Sequence, residues 1–115
     1  MTTKDEKFIQ AMKDAVERRG RDYVYPRGEE GYYRLSNPNA CLYTNTKTNE
    51  PACIIGLAMS LAGFPKPPEG DAADMTLEGL VSPRVAFAAW SAQNLQDNGH
   101  TWGEALDEFL REVEK

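Results

Sequence analysis

Between Glu50 and Lys66 the chain carries no charged side chain, although 27% of its residues are charged. The run PACIIGLAMSLAGFP, bracketed by Pro51 and Pro65, is shorter than the roughly 20 apolar residues needed to span a bilayer, so it belongs inside a protein and not a membrane. Pro51 suits the first turn of a helix, where a missing N–H removes no intrahelical bond. Cys53, Ile54, Leu57, Met59 and Leu61 then surround the axis and leave no face for water, the pattern of a helix buried on all sides. The spacing predicts a central buried helix over 51–63, in which Gly56 permits a close approach and Gly63 provides termination.

The neighbouring helices carry their own punctuation. A first helix reads from Thr3 as N-cap through Arg19, with Phe8, Ile9, Met12 and Val16 on one face and Gly20 at its end. The proline-rich FPKPPEGD cannot continue a helix and leads into a short helical turn at TLEGL. Ser82 and Pro83 supply the N-cap and first position of a helix that runs to about Asp97. Its first half, PRVAFAAW, is apolar and its second, SAQNLQDN, is rich in amides, so one end is expected buried and the other wet. Asn98 and Gly99 stop it, and Thr101 with Glu104 forms the capping box of the last helix, whose inward stripe is Trp102, Leu106, Phe109 and Val113.

From Asp22 to Tyr43 the pattern changes to aromatic segments, DYVYP and GYYRL, separated by the turn-forming PRGEEG; NACLYT adds a candidate third strand. The expected architecture is therefore α+β and mostly helical. About four helices accompany a small antiparallel hairpin or three-stranded sheet near residues 22–45, packed around the central helix. A chain of 115 residues buries such a core as one domain, residues 1–115.

Composition excludes several function classes. Walker and dinucleotide-type glycine loops are absent, which removes support for nucleotide hydrolysis. Arg18, Arg19 and Arg21, with Arg27 and Arg34 among Tyr23, Tyr25, Tyr32 and Tyr33, have the residue types that track phosphates and stack bases. A net charge of −5 and an acidic last helix weigh against a nucleic-acid partner. No basic, apolar signal segment opens MTTKDEKFIQ, so the expectation is a cytoplasmic chain in which Cys41 and Cys53 are thiols. Those two cysteines and His100 lack the paired short spacings of a zinc site, and no metal or cofactor is implied.

Two groups of residues are candidates for function. Cys53, in the first turn of the central helix, sees the positive end of the helix dipole that favours a thiolate, and His100, the one histidine, is the available base. The bland reading makes Cys53 a small buried hydrophobe among Ile54, Ile55 and Leu57. The second group, Gln93, Gln96, Asp97, His100 and Trp102, gathers donors, acceptors and an aromatic face near a helix end, a composition suited to binding; exposed amides at a helix stop are the alternative.

Two segments, CLYTNTKTNEPACIIGLAMSLAGFP and AAWSAQNLQDNGHTWGEALDEFL, together resemble small, mostly uncharacterised proteins encoded by tailed phages that infect Actinobacteria. The resemblance rests on Pro51, Cys53 and Gly56 in a P-x-C-I/V-I/V-G helix. It also rests on Gln93, Gln96, Asp97, Gly99, Thr101, Trp102 and Gly103 in the closing run, and it covers roughly the last two thirds of the chain. It implies a phage origin and no particular activity. The leading expectation is a non-enzymatic phage accessory protein that binds a host or phage protein. A protein that sequesters a small molecule such as a nucleotide, with the amide-rich helix end as its pocket, is the alternative, and a cysteine-dependent hydrolase or transferase is a third.

Overall fold

A computed structural model describes residues 1–34 and 41–115. Among these the chain forms five helices: α1 (Thr3–Arg19), α2 (Ile54–Leu61), α3 (Ala73–Thr76), α4 (Pro83–Asp97) and α5 (Trp102–Val113). α1 packs on α2, α4 packs on α5, and the two pairs close over one apolar core. Phe8 stands at its centre, edge-on to Phe109 at 5.8 Å and stacked on Phe64 at 6.0 Å. Among the described residues no helix is long and apolar enough to cross a membrane.

The expected α+β class is not what the chain adopts. The described residues contain no sheet, and backbone pairing is reduced to isolated bridges such as that of Thr44 with Pro51. Turns at Gly20–Tyr23, Pro26–Glu29 and Glu29–Tyr32 break the first predicted strand and the turn after it into a compact coil. The Tyr25 hydroxyl donates to the Tyr32 carbonyl at 2.6 Å and accepts the Leu42 N–H at 3.0 Å, so one phenol supplies bonds that a ladder would have supplied. Tyr25 and Tyr32 pack edge-on at 5.5 Å and Tyr23 packs on Trp102, and the preference of aromatic residues for strands is a preference for packing more than for one backbone. Leu35, at the end of the second predicted strand, and residues 39–40 of the third lie outside the described residues. The described part of the third is irregular, with the Glu69 carboxylate accepting both the Tyr43 and Thr44 N–H groups at 2.9 and 3.0 Å.

The central helix is shorter than predicted. Pro51, Ala52 and Cys53 are held extended against residues 42–44, with the Ala52 N–H donating to Tyr43 O at 2.9 Å and the Cys53 N–H to Leu42 O at 3.2 Å. The helix therefore starts at Ile54, and Cys53 is its N-cap, the sulfur accepting the Gly56 N–H at 3.4 Å. Gly56 is required by closeness: a Cβ there would land on the Tyr43 carbonyl oxygen and 2.9 Å from its carbon. Ile54 through Met59 are buried, but Ser60 and Leu61 reach the surface, so the helix does have a wet end. Gly63 stops it as predicted, at φ 76°, with Gly63 N–H bonded to Ser60 O and Phe64 N–H to Met59 O in a Schellman motif.

The remaining helices follow their caps closely. α4 and α5 begin and end where the sequence places them, including the Thr101–Glu104 capping box, and Trp102, Leu106, Phe109 and Val113 are buried. The short helix precedes TLEGL instead of lying within it, because Ala73 begins the turn and Thr76 closes it. The division of α4 into a dry half and a wet half is also corrected: its buried face, Val85, Ala89, Ala92, Gln93 and Gln96, runs the whole length.

α1 starts one residue earlier than expected, with Thr2 as N-cap and Asp5 completing a capping box. Asp5 is fully buried and its second oxygen accepts the Ser82 N–H at 2.7 Å, tying the start of α1 to the start of α4. Burial alone would raise the Asp5 pKa, but the Ser82 and Thr2 N–H groups outweigh it and hold the carboxyl below its ordinary value. A lowered folded pKa gives stability that is present above the unfolded value near 4 and lost as pH falls through the folded one. Asp5→Ala is expected to cost about 2 kcal/mol at neutral pH, and its melting temperature should fall less steeply than that of the wild type below about pH 4, read by thermal melts across that range.

Candidate functional site

The C-terminal half of α4 carries a polar network into the interior. Gln96 accepts the Ile54 N–H at 2.8 Å through Oε1 and donates to the Asp97 carboxylate at 3.0 Å through Nε2. Gln93 accepts the Ala73 N–H at 2.8 Å, and its amide nitrogen is shared between the Tyr43 hydroxyl at 3.2 Å and the Cys41 sulfur at 3.5 Å. Ile54 and Ala73 are the first residues of α2 and α3, so each glutamine satisfies an orphan donor at a helix start. Ala72, the N-cap of α3, has no side chain that could do this for its own helix.

One turn outward, Arg34, Cys41, Trp90, Gln93, Asn94 and Asp97 line a cleft of about 220 Å³. Burial pushes the Asp97 carboxyl up, only partly offset by bonds from Gln96 and Cys41 and by the charge of Arg27. The neighbouring Cys53 thiol, together with burial, pushes the Cys41 thiol well up, so that it is held protonated at neutral pH. Burial likewise pushes the Tyr25 and Tyr43 phenols above their usual range, so both act as neutral donors.

The predicted binding residues separate into three environments. Gln93 and Asp97 line the cleft, and Gln96 lies behind it, 1% exposed, its polar atoms already bonded to protein. Trp102 is fully buried edge-on to Tyr23 at 4.7 Å; its indole N–H is the one buried side-chain polar atom without a partner among the described residues. His100 stands on the outside beside Glu104 at 3.5 Å. The candidate catalytic pairing of Cys53 with His100 is not formed, because Cys53 is fully enclosed and bonded to Gly56 while His100 faces solvent. Among the described residues no three His, Cys, Asp or Glu side chains gather as a metal cluster.

Two features escaped sequence reasoning. Trp90, Gln93, Asn94 and Asp97 stand three, four and seven residues apart and so share a helix face, a spacing that would have pointed to the cleft had the segment not been read as a termination signal. Phe87 and Trp90, read as buried apolar residues, are instead stacked at 5.6 Å with Phe87 50% exposed. With Met75, 60% exposed, Phe87 lines a groove of about 540 Å³ floored by Val81 and Ala86, whose charged lining residues are Asp74 and Glu78. No family model, curated protein or solved structure matches the chain.

Proposed function

We propose that the chain is a non-enzymatic binding domain that docks a basic, amphipathic segment of a partner protein in the groove between α3 and α4. The carrying observation is that Met75 and Phe87, two large exposed apolar side chains, line one groove with an apolar floor, where a solitary exposed hydrophobe would need no explanation. Charge complementarity selects the occupant: the groove's own charges, Asp74 and Glu78, are both acidic, and the chain carries −5 overall. Arg84 is exposed in the first turn of α4 but does not line the groove. The resemblance to phage proteins supports a phage-encoded accessory role in the cytoplasm of an infected host cell, with a host or phage protein as partner.

The sequestering alternative finds less support, since about 220 Å³ falls below the roughly 300 Å³ at which drug-sized ligand sites begin and a nucleotide would not be enclosed. A cysteine hydrolase would need the base that His100 does not provide to Cys53.

The test compares the wild type with a Met75→Ser/Phe87→Ser variant. Both substitutions are at the surface, so each is expected to change stability by no more than about 0.5 kcal/mol in denaturant melts. A basic partner captured from host lysate should bind the purified variant at least about tenfold more weakly by calorimetry. Equal affinity for both proteins would remove this groove as the interface, and wild-type dimers that the variant cannot form would make a second copy the occupant instead.

A further inference from the structure

We propose that the cleft takes an arginine side chain of the segment docked between α3 and α4, so that cleft and groove are two halves of one recognition face. The inference rests on the docking reading above and adds a charged contact to it. Trp90 joins the halves: it lines the cleft and stacks on Phe87, which lines the groove. α3 follows the same seam, with Ala72 before it on the cleft wall and Asp74 and Met75 within it on the groove. Phe87 and Asn94 are two turns of α4 apart, about 10 Å, a distance that one docked segment spans.

The lining selects a guanidinium. Two carboxylates, Asp71 and Asp97, stand on the cleft wall against one cation, the exposed Arg34, and among the described residues no ion pair joins Arg34 to either. Gln93 is not available to a ligand, since both ends of its amide are bonded within the protein. Asp71 and Asn94 bond described side chains only through their backbone carbonyls, which leaves a carboxylate and an amide oxygen to accept from a donor in the cleft. Asp97 receives Gln96 on Oδ1, and the burial that pushes its carboxyl up is a cost that an arriving cation relieves. A guanidinium offers carboxylates a fixed fork of N–H donors and lies flat on an indole such as Trp90; an ammonium lacks that plane.

Size agrees with a side chain more than with a free molecule. About 220 Å³ is room for one long side chain and falls short of the roughly 300 Å³ at which drug-sized sites begin, so the arginine arrives as part of a chain. The groove then supplies apolar contact through Met75 and Phe87, and the cleft supplies selectivity. A segment with the same apolar face but no arginine in reach leaves Asp71 and Asp97 without a counter-charge.

The experiment titrates the isotope-labelled full chain with N-acetyl-arginine amide through the millimolar range and follows the indole N–H signals of Trp90 and Trp102 by NMR. The Trp90 signal should move, and that of the fully buried Trp102 should stay. The matching citrulline amide, the same shape without the charge, should bind at least about tenfold more weakly, and Asp97→Asn should weaken the arginine probe as much. Arg34→Gln should not weaken it, since removing a like charge favours a cation. Met75→Ser, which leaves the Phe87–Trp90 stack in place, should bind the probe as the wild type does. A still Trp90 signal, a citrulline probe that binds as tightly, an Asp97→Asn protein at wild-type affinity, or an affinity lost with Arg34 or Met75 would each overturn the proposal. Should Asp97→Asn fail to fold, the exposed Asp71→Asn, with the same loss expected, and the arginine and citrulline comparison on the wild type decide. The two readings fail separately: a captured partner indifferent to Met75→Ser/Phe87→Ser removes the groove and leaves the probe result standing, whereas a still Trp90 signal removes the arginine site and leaves the groove.

Discussion

Leu57→Ala is expected to lower stability by about 2 to 5 kcal/mol, and Leu61→Ala by less than about 1, although both leucines lie in the same charge-free run. Leu57 is 3% exposed in the middle of α2, so truncation removes buried methyl groups and leaves a cavity that the packed neighbours fill only in part. Leu61 closes the helix at 36% exposure and has less contact to lose. A charge at position 57 should prevent folding altogether, since no partner is within reach to compensate its desolvation. Denaturant melts of the two variants beside Glu108→Ala separate the cases through their midpoints at constant slope. Equal small shifts at 57, 61 and 108 would mean that α2 is a surface element awaiting a partner, and the interface would then belong there and not at Phe87.

The helices that were legible are the ones whose ends are written in side chains. Gly20 closes α1, Pro83 opens α4 at its first position, Asn98–Gly99 end it, and the Thr101–Glu104 box opens α5; each acts within one turn, where sequence distance equals spatial distance, although the Ser82 side chain makes no capping bond. What was misread depends on partners far along the chain. Pro51 looks like a helix start until Tyr43 and Leu42 hold the next two residues extended, and the tyrosines of 22–33 look like strands until Tyr25 spends its hydroxyl on Tyr32 and Leu42. α3 begins at Ala73 although its N-cap, Ala72, has no side chain to cap it, because the Gln93 amide oxygen arrives from twenty residues away to accept the Ala73 N–H.

The same reasoning explains how much of the site could be read. Gln93 and Asp97 were identified by residue type and do line the cleft, whereas Cys41 comes to it through the antiparallel pairing of residues 42–44 with 51–53. Trp90 belongs to two features at once, since it lines the cleft and stacks on Phe87 at the groove. A partner seated on Phe87 would therefore touch the wall of the cleft that Gln93 and Asp97 line.

Gln96 decides whether the amides of α4 are a wet recognition cluster or part of the frame. Gln96→Leu keeps the bulk but strands the Ile54 N–H at the start of α2 and takes from Asp97 the amide donor that partly offsets its burial. An orphaned buried donor costs about 1 to 3 kcal/mol, and the poorer solvation of a half-buried carboxylate adds to it, so a total near 3 kcal/mol is expected. Asn94→Leu, two residues away on the exposed side of the same helix, should change stability by no more than about 0.5 kcal/mol. Urea melts at neutral pH measure both. Were Gln96 an exposed contact, as its neighbours in the sequence suggest, the two variants would melt alike; a loss confined to Gln96→Leu instead assigns the glutamine to the joint between α2 and α4, and leaves Gln93, Asn94 and Asp97 as the residues of this helix that face the cleft.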